Sequence, residues 1–158
     1  MADVLQFTVP WSALCSDNRK FLSGKFILTS DYRNSKQALA DFSAKAARKH
    51  KWKQATCALA LRVTVCEPDR RKRDLNWSKN LKDGITLGEA VWWDDCQVRD
   101  EHWRFAHCDD DDRLSLADCG ILQDGGAFVE IWAIGDAPVT PKRRRVRTKT
   151  IAPKSATD

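Results

Sequence analysis

The chain has 158 residues, 42% of them apolar, which is enough for one modest core and favours a single domain over two. Its formal net charge is +5, but from Pro141 onward it holds Lys142, Arg143, Arg144, Arg145, Arg147, Lys149 and Lys154 against Asp158 alone. That is a local balance of about +6, so the body before it is close to neutral and general surface basicity is excluded as a guide to the partner. The cations concentrate in two runs, residues 70–73 and 142–149, and their placement carries the argument instead.

Taken in chain order, residues 4–9 are apolar with loose alternation and stop at Pro10, which predicts a short strand ended by a residue that cannot donate to a ladder. A polar loop with Ser16, Asp17, Asn18, Arg19 and Lys20 follows. Between residues 30 and 53 the period becomes helical, with Tyr32, Leu39, Phe42 and Ala46 recurring and Ser30 or Asp31 placed as the N-cap. Residues 56–66, TCALALRVTVC, predict a central strand that ends at Pro68. A second helix is expected over 75–86, carried by Trp77, Leu81 and Ile85 and weakened by Gly84 in its last turn. Two further strands are expected over 98–107 and 127–134, separated by an acidic loop.

This order predicts a small α+β domain over residues 1–136, with a mixed, mostly antiparallel sheet and two main helices, and a disordered basic tail over 137–158. Six cysteines would suit three disulfides in a secreted protein, but the opening MADVLQFTVPW lacks a basic leader followed by an apolar run. Reduced, structural cysteines and a cytoplasmic location are therefore expected. No stretch approaches the roughly 20 apolar residues of a membrane helix, so no membrane partner is expected.

Two segments carry the chemistry. In EPDRRKRDLNWSKN a strand end leads into Arg70, Arg71, Lys72 and Arg73, with Asp74 immediately after them and before a helix. Cations that hold backbone phosphates beside a carboxylate that can hold Mg²⁺ are what phosphodiester cleavage needs; a solvated turn with Asp74 as a helix cap is the plainer alternative. In WWDDCQV an apolar lead delivers Asp94 and Asp95. Neighbouring side chains of an extended segment point to opposite faces, so only one of the two is expected to share a site with Asp74.

The stretch PDRRKRDL followed by WWDDCQV, with the opening strand into Pro10 and Trp11, the Asn18-Arg19 loop and the Tyr32-Arg33 helix start, resembles the RusA family of phage and prophage Holliday junction endonucleases. The likeness spans roughly residues 4–134. It implies a homodimeric, Mg²⁺-dependent nuclease of the bacterial cytoplasm, acting on branched DNA in recombination and repair. By the same likeness Asp74 and Asp95 are the catalytic metal-holding pair, with Asn76 or Asp94 completing the metal shell. Arg70, Arg71, Lys72 and Arg73 would hold DNA near the site, Asn18, Arg19 and Lys20 beside it, and Lys142, Arg143, Arg144 and Arg145 would tether it from the tail.

The chain departs from the family pattern at the second aspartate of its Asp-x-Asp-Asn motif, where Asn76 stands or, with one residue deleted, serves as the motif's asparagine. The family's catalytic lysine falls on Asn80 without a gap and on Lys79 with the deletion, and the chemistry favours the cation at Lys79. Asp69, Asp83 or Glu67 could replace the missing charge. A junction-binding accessory protein that has lost cleavage is the alternative reading, and it predicts binding without a metal requirement.

His102, His107, Cys108 and Cys119 have zinc-type donors but no Cys-x-x-Cys pair, and the acidic run 109–112 lacks the Gly and terminal Glu of an EF-hand loop. Neither is expected to bind a metal. Of the seven tryptophans, Trp52, Trp93, Trp103 and Trp132 are expected in the core or an interface, while Trp11 and Trp77 flank the site and are candidates to stack at an opened junction.

Overall fold

The computed structural model describes residues 4–16, 28–68, 76–107 and 124–138. Strand β1 (Val4–Pro10) leads through a short 3-10 turn (Trp11–Ala13) towards helix α1 (Ser30–Lys49); then come β2 (Cys57–Glu67), α2 (Ser78–Leu87), a second 3-10 turn (Asp95–Gln97), β3 (Val98–His107) and β4 (Gly126–Pro138). The four strands form one sheet in the order β1-β4-β2-β3, antiparallel except where β3 lies parallel to β2. The predicted α+β class, two helices and mostly antiparallel sheet are what the chain adopts.

One side of the sheet makes the core. Alternation along β1 turns Leu5, Phe7 and Val9 inward, where they align with Ile131, Val129 and Ala127 of β4, and these align in turn with Leu61, Val63 and Val65 of β2. Each such fully buried side chain stabilises the fold by roughly 1.5–3 kcal/mol. The second face of β2 is also largely buried at Ala60, Thr64 and Cys66, as the continuous apolar run of a central strand implies.

Helices α1 and α2 pack side by side and run parallel: Ser35 meets Asn80, and Leu39 meets Gly84. Gly84 is there for contact, since a Cβ on it would stand 2.6 Å from the Leu39 Cβ. The propensity that Gly84 costs α2 thus comes with the close approach of the two helices.

Several boundaries correct the sequence expectation. The α1 cap is neither Ser30 nor Asp31 but Thr29, whose Oγ1 accepts from the Tyr32 N–H at 3.2 Å. The helix stops at Lys49 rather than near residue 53, because Lys51 takes a left-handed φ of 53° and the chain closes with Lys51 N–H to Arg48 O and Trp52 N–H to Ala47 O. Helix α2 begins at Ser78, after Trp77 has turned into the core. The buried indoles are Trp77 and Trp92, the latter donating to Thr86 Oγ1 at 2.7 Å; Trp93 and Trp132 are only half-buried, while Trp52 and Trp103 pack on the core edge. The four described cysteines, Cys15, Cys57, Cys66 and Cys96, are free thiols.

Candidate functional site

Asp94 is extended, but Asp95 already belongs to a tight turn. Asp94 caps the second 3-10 turn, accepting from the Cys96 N–H at 2.9 Å, and Asp95 is the first residue inside it. The change of backbone between them departs from the expectation that the two side chains point apart: the Asp94 and Asp95 carboxyls interact. Burial, together with the hydrogen bond and charge of Asp94, pushes the Asp95 carboxyl above the usual carboxylate range; Lys79 acts in the opposite sense and Asp83 adds to the rise.

Gln97 holds this turn in place, and nothing in the sequence pattern marked it. Its side chain is fully buried; Oε1 accepts from the N–H groups of Trp93 (3.0 Å) and Asp94 (3.3 Å), and Nε2 donates to the carbonyls of Ala55 (2.8 Å) and Cys57 (3.1 Å). One amide thus ties the aspartate pair to the start of β2.

The flank of α2 supplies the other half. Lys79 is exposed on its first turn and pairs with Asp83 at 3.5 Å, one helical turn on, while Asp83 also meets Lys36 of α1 at 3.6 Å. Asn80 faces the opposite way: it is 1% exposed and accepts from Ser35 Oγ at 2.8 Å. Of the two residues competing for the lysine position, Lys79 is therefore the one on the side of Asp95, and Asn80 belongs to the helix interface.

Glu101 on β3 steadies the same turn of α2. It accepts from Ser78 Oγ, from Lys82 Nζ at 2.7 Å and from the Trp103 indole at 2.6 Å. Burial alone would raise its carboxyl, but these donors outweigh that and hold it below the ordinary value. Asn76 is exposed just before α2, and Glu67 is buried at the end of β2. Asp74, Asp69, Arg70, Arg71, Lys72, Arg73, Asn18, Arg19, Lys20, Lys142, Arg143, Arg144 and Arg145 lie outside the described residues, as do Cys108, Cys119 and the acidic run 109–112.

Among the described residues no group of three or more His, Cys, Asp or Glu side chains stands together to hold a metal ion. Asp94 and Asp95 nevertheless fit a hard divalent cation in donor type, and their mutual repulsion is what such a cation would relieve. His102 pairs instead with Asp100 at 3.0 Å.

The aromatic expectation needs correction at Trp77, which is only 5% exposed and packs edge-on against Trp11 with centroids 5.2 Å apart. A base cannot reach its face. Phe105, which the sequence reading passed over, lies 6.1 Å from Trp77 and is 39% exposed.

A third basic segment also went unrecognised. Residues 45–53, KAARKHKWK, hold Lys45, Arg48, Lys49, Lys51 and Lys53 with no acid among them, and all five side chains are exposed. Their spacing had been absorbed into the polar face of a helix.

No helix of the described chain is long and apolar enough to cross a membrane. Compared with known protein families the chain matches none, and comparison with curated proteins gives no match.

Proposed function

We propose that this chain is a homodimeric, Mg²⁺-dependent endonuclease of the RusA type that cuts branched DNA, in a bacterial cytoplasm and from a phage or prophage. The observation that carries the reading is that two crowded carboxylates, Asp94 and Asp95, lie within the electrostatic reach of Lys79, which stands on the exposed side of a helix distant in sequence. The motif likeness adds Asp74 and the cations 70–73, which precede α2 in the chain.

In this reading Asp95 and Asp74 hold the metal, with Asp94 or Asn76 completing its shell. A bound divalent cation supplies polarisation of one phosphate and activation of a water. In this role Lys79 would face the negative charge that develops on that phosphate, and its pairing with Asp83 orients the ammonium. Gln97 fixes the turn that presents Asp95, while Glu101 fixes the turn that presents Lys79. Two copies related by a two-fold axis present two such sites to a four-way junction.

The test uses labelled four-way junction and matched linear duplex, with and without Mg²⁺, and the Asp74→Asn and Asp95→Asn variants. Symmetric, metal-dependent cuts that both variants abolish are the expected result. Absence of any preference for the junction would sink the reading.

A second reading, an accessory protein that binds junctions without cutting them, draws on two observations: Asn76 stands where the family has a carboxylate, and Asp94 spends one oxygen on the Cys96 N–H. Junction binding that is selective, metal-independent and never followed by cleavage would favour it.

A further inference from the structure

We propose that the C-terminal end of α1 and the turn after it form a further binding patch, for the phosphate backbone of duplex DNA, at the pole where Gln54 and Ala55 reach the segment that bears the aspartate pair. Lys45, Arg48, Lys49, Lys51 and Lys53 give residues 45–53 a charge of +5, as large as the net charge of the whole chain. All five are exposed, as is His50 among them, and none of the six enters an ion pair among the described residues. Lys45, Arg48 and Lys49 stand at i, i+3 and i+4, neighbours on one helix face opposite the buried Ala46 and Ala47.

Helix-end cations are often explained by the negative end of the helix dipole, worth a few tenths to about 1 unit in kcal/mol and confined to the last turn. That account does not reach Lys51 and Lys53, which lie beyond the helix. Nor does it explain why Lys51 occupies the left-handed position after the cap, with φ of 53°, where glycine is the unstrained choice.

Strand β4 ends at the same pole. Pro138, the end of β4, is paired with Cys57 at the start of β2, and an open groove of about 1140 Å³ separates the turn at Lys51 and Lys53 from Ile134 and Gly135 of β4. Lys142 follows Pro138 by four residues, roughly 14 Å of extended chain at most. Being cationic itself, the run 142–149 does not complement the patch; a polyanion complements both. Duplex DNA is the ligand class that the proposed function supplies, and the inference rests on that reading for this choice alone.

The experiment measures binding of the full chain to a labelled linear duplex by fluorescence anisotropy, in EDTA, from 50 to 200 mM salt as set points of about that range. Replacing Lys45, Arg48, Lys49 and Lys53 together by Gln is expected to lower the steepness of log K against log salt by about 0.9 per cation removed, with affinity falling on the order of tenfold or more. Lys51→Gly is expected to raise the melting temperature by roughly a few degrees while lowering the slope by about 0.9. An unchanged slope in both variants overturns the proposal. So does a loss confined to binding of phosphatidylserine vesicles, which would assign the patch to a membrane surface. Because neither junctions nor metal enter this measurement, failure of the cleavage experiment leaves its outcome intact, and the converse also holds.

Discussion

Leu39 of α1 and Gly84 of α2 touch where no side chain can be added: a Cβ on Gly84 would lie 2.6 Å from the Leu39 Cβ and 3.1 Å from the Lys36 carbonyl oxygen. Gly84→Ala would gain about 1 kcal/mol of helix propensity. It would also force the helices apart, at roughly 1–3 kcal/mol for overpacking a tight contact and more where backbone is struck. Net destabilisation of about 1–2 kcal/mol is expected by chemical denaturation. A variant as stable as the parent would show that the helices separate freely.

Lys79 and Asn80 are adjacent in sequence and opposite in role. Lys79→Met is expected to leave stability within about 0.5 kcal/mol of the parent and to cut cleavage of a junction by about a hundredfold or more. Asn80→Ala is expected to cost roughly 1–3 kcal/mol of stability, since the buried Asn80–Ser35 hydrogen bond and the packing of the amide between the helices are lost, with little effect on the rate per folded molecule. Reversed outcomes would return the lysine position to Asn80.

Gln97→Ala strips four backbone groups of their partner in one step. A loss of about 2–4 kcal/mol is expected, together with reduced cleavage by whatever remains folded, because the turn bearing Asp95 is released. Gln97→Glu keeps the shape but removes both donors to the Ala55 and Cys57 carbonyls, so it should not rescue. Thermal melts and single-turnover rates on the same samples check both statements.

Glu101 makes the stability depend on acid. Its carboxyl is held below the ordinary glutamate value, so the folded state favours the charged form, and this contribution is complete above the unfolded value of about 4.5 and lost as pH falls through the lower folded value. Its size is discounted to roughly 1–2 kcal/mol, because the side chain stays partly open to solvent. The stability gap between the parent and Glu101→Gln should be flat from about pH 6 upward and close below about pH 4. A gap that widens in acid would contradict the bonding of Ser78, Lys82 and Trp103.

How far the sequence led is clearest at particular residues. Period-two and period-3.6 patterns located all four strands and both helices, because Leu5, Phe7 and Val9, like Tyr32, Leu39 and Ala46, are buried by the regular geometry those periods encode. Caps were less legible: Thr29, Ser30 and Asp31 can all cap, and only the backbone of Thr29 decides among them. The convergence of Asp94 with Asp95 was hidden, since a single 3-10 turn leaves no period to read. The cations of residues 45–53 were visible but looked like the wet side of a helix, and only the left-handed Lys51 and the nearby end of β4 set them apart.

The parallel run of α1 and α2 also gives the molecule a polarity. Strands β1, β2 and β3 all finish at the pole where β4 begins, as Pro10 and Cys66 both align with Gly126, and Glu67 aligns with His107. Helix α1 starts near this pole, Ser35 donating to Ala13 O just after β1, and ends at the other beside Lys51. Its 20 residues span about 30 Å, or roughly nine base-pair steps of 3.4 Å. A duplex arm lying along that axis would be shielded over close to one helical repeat by each protomer, and hydroxyl-radical footprints of that length, extending from the cut towards the arm's end, are the imprint such a molecule leaves.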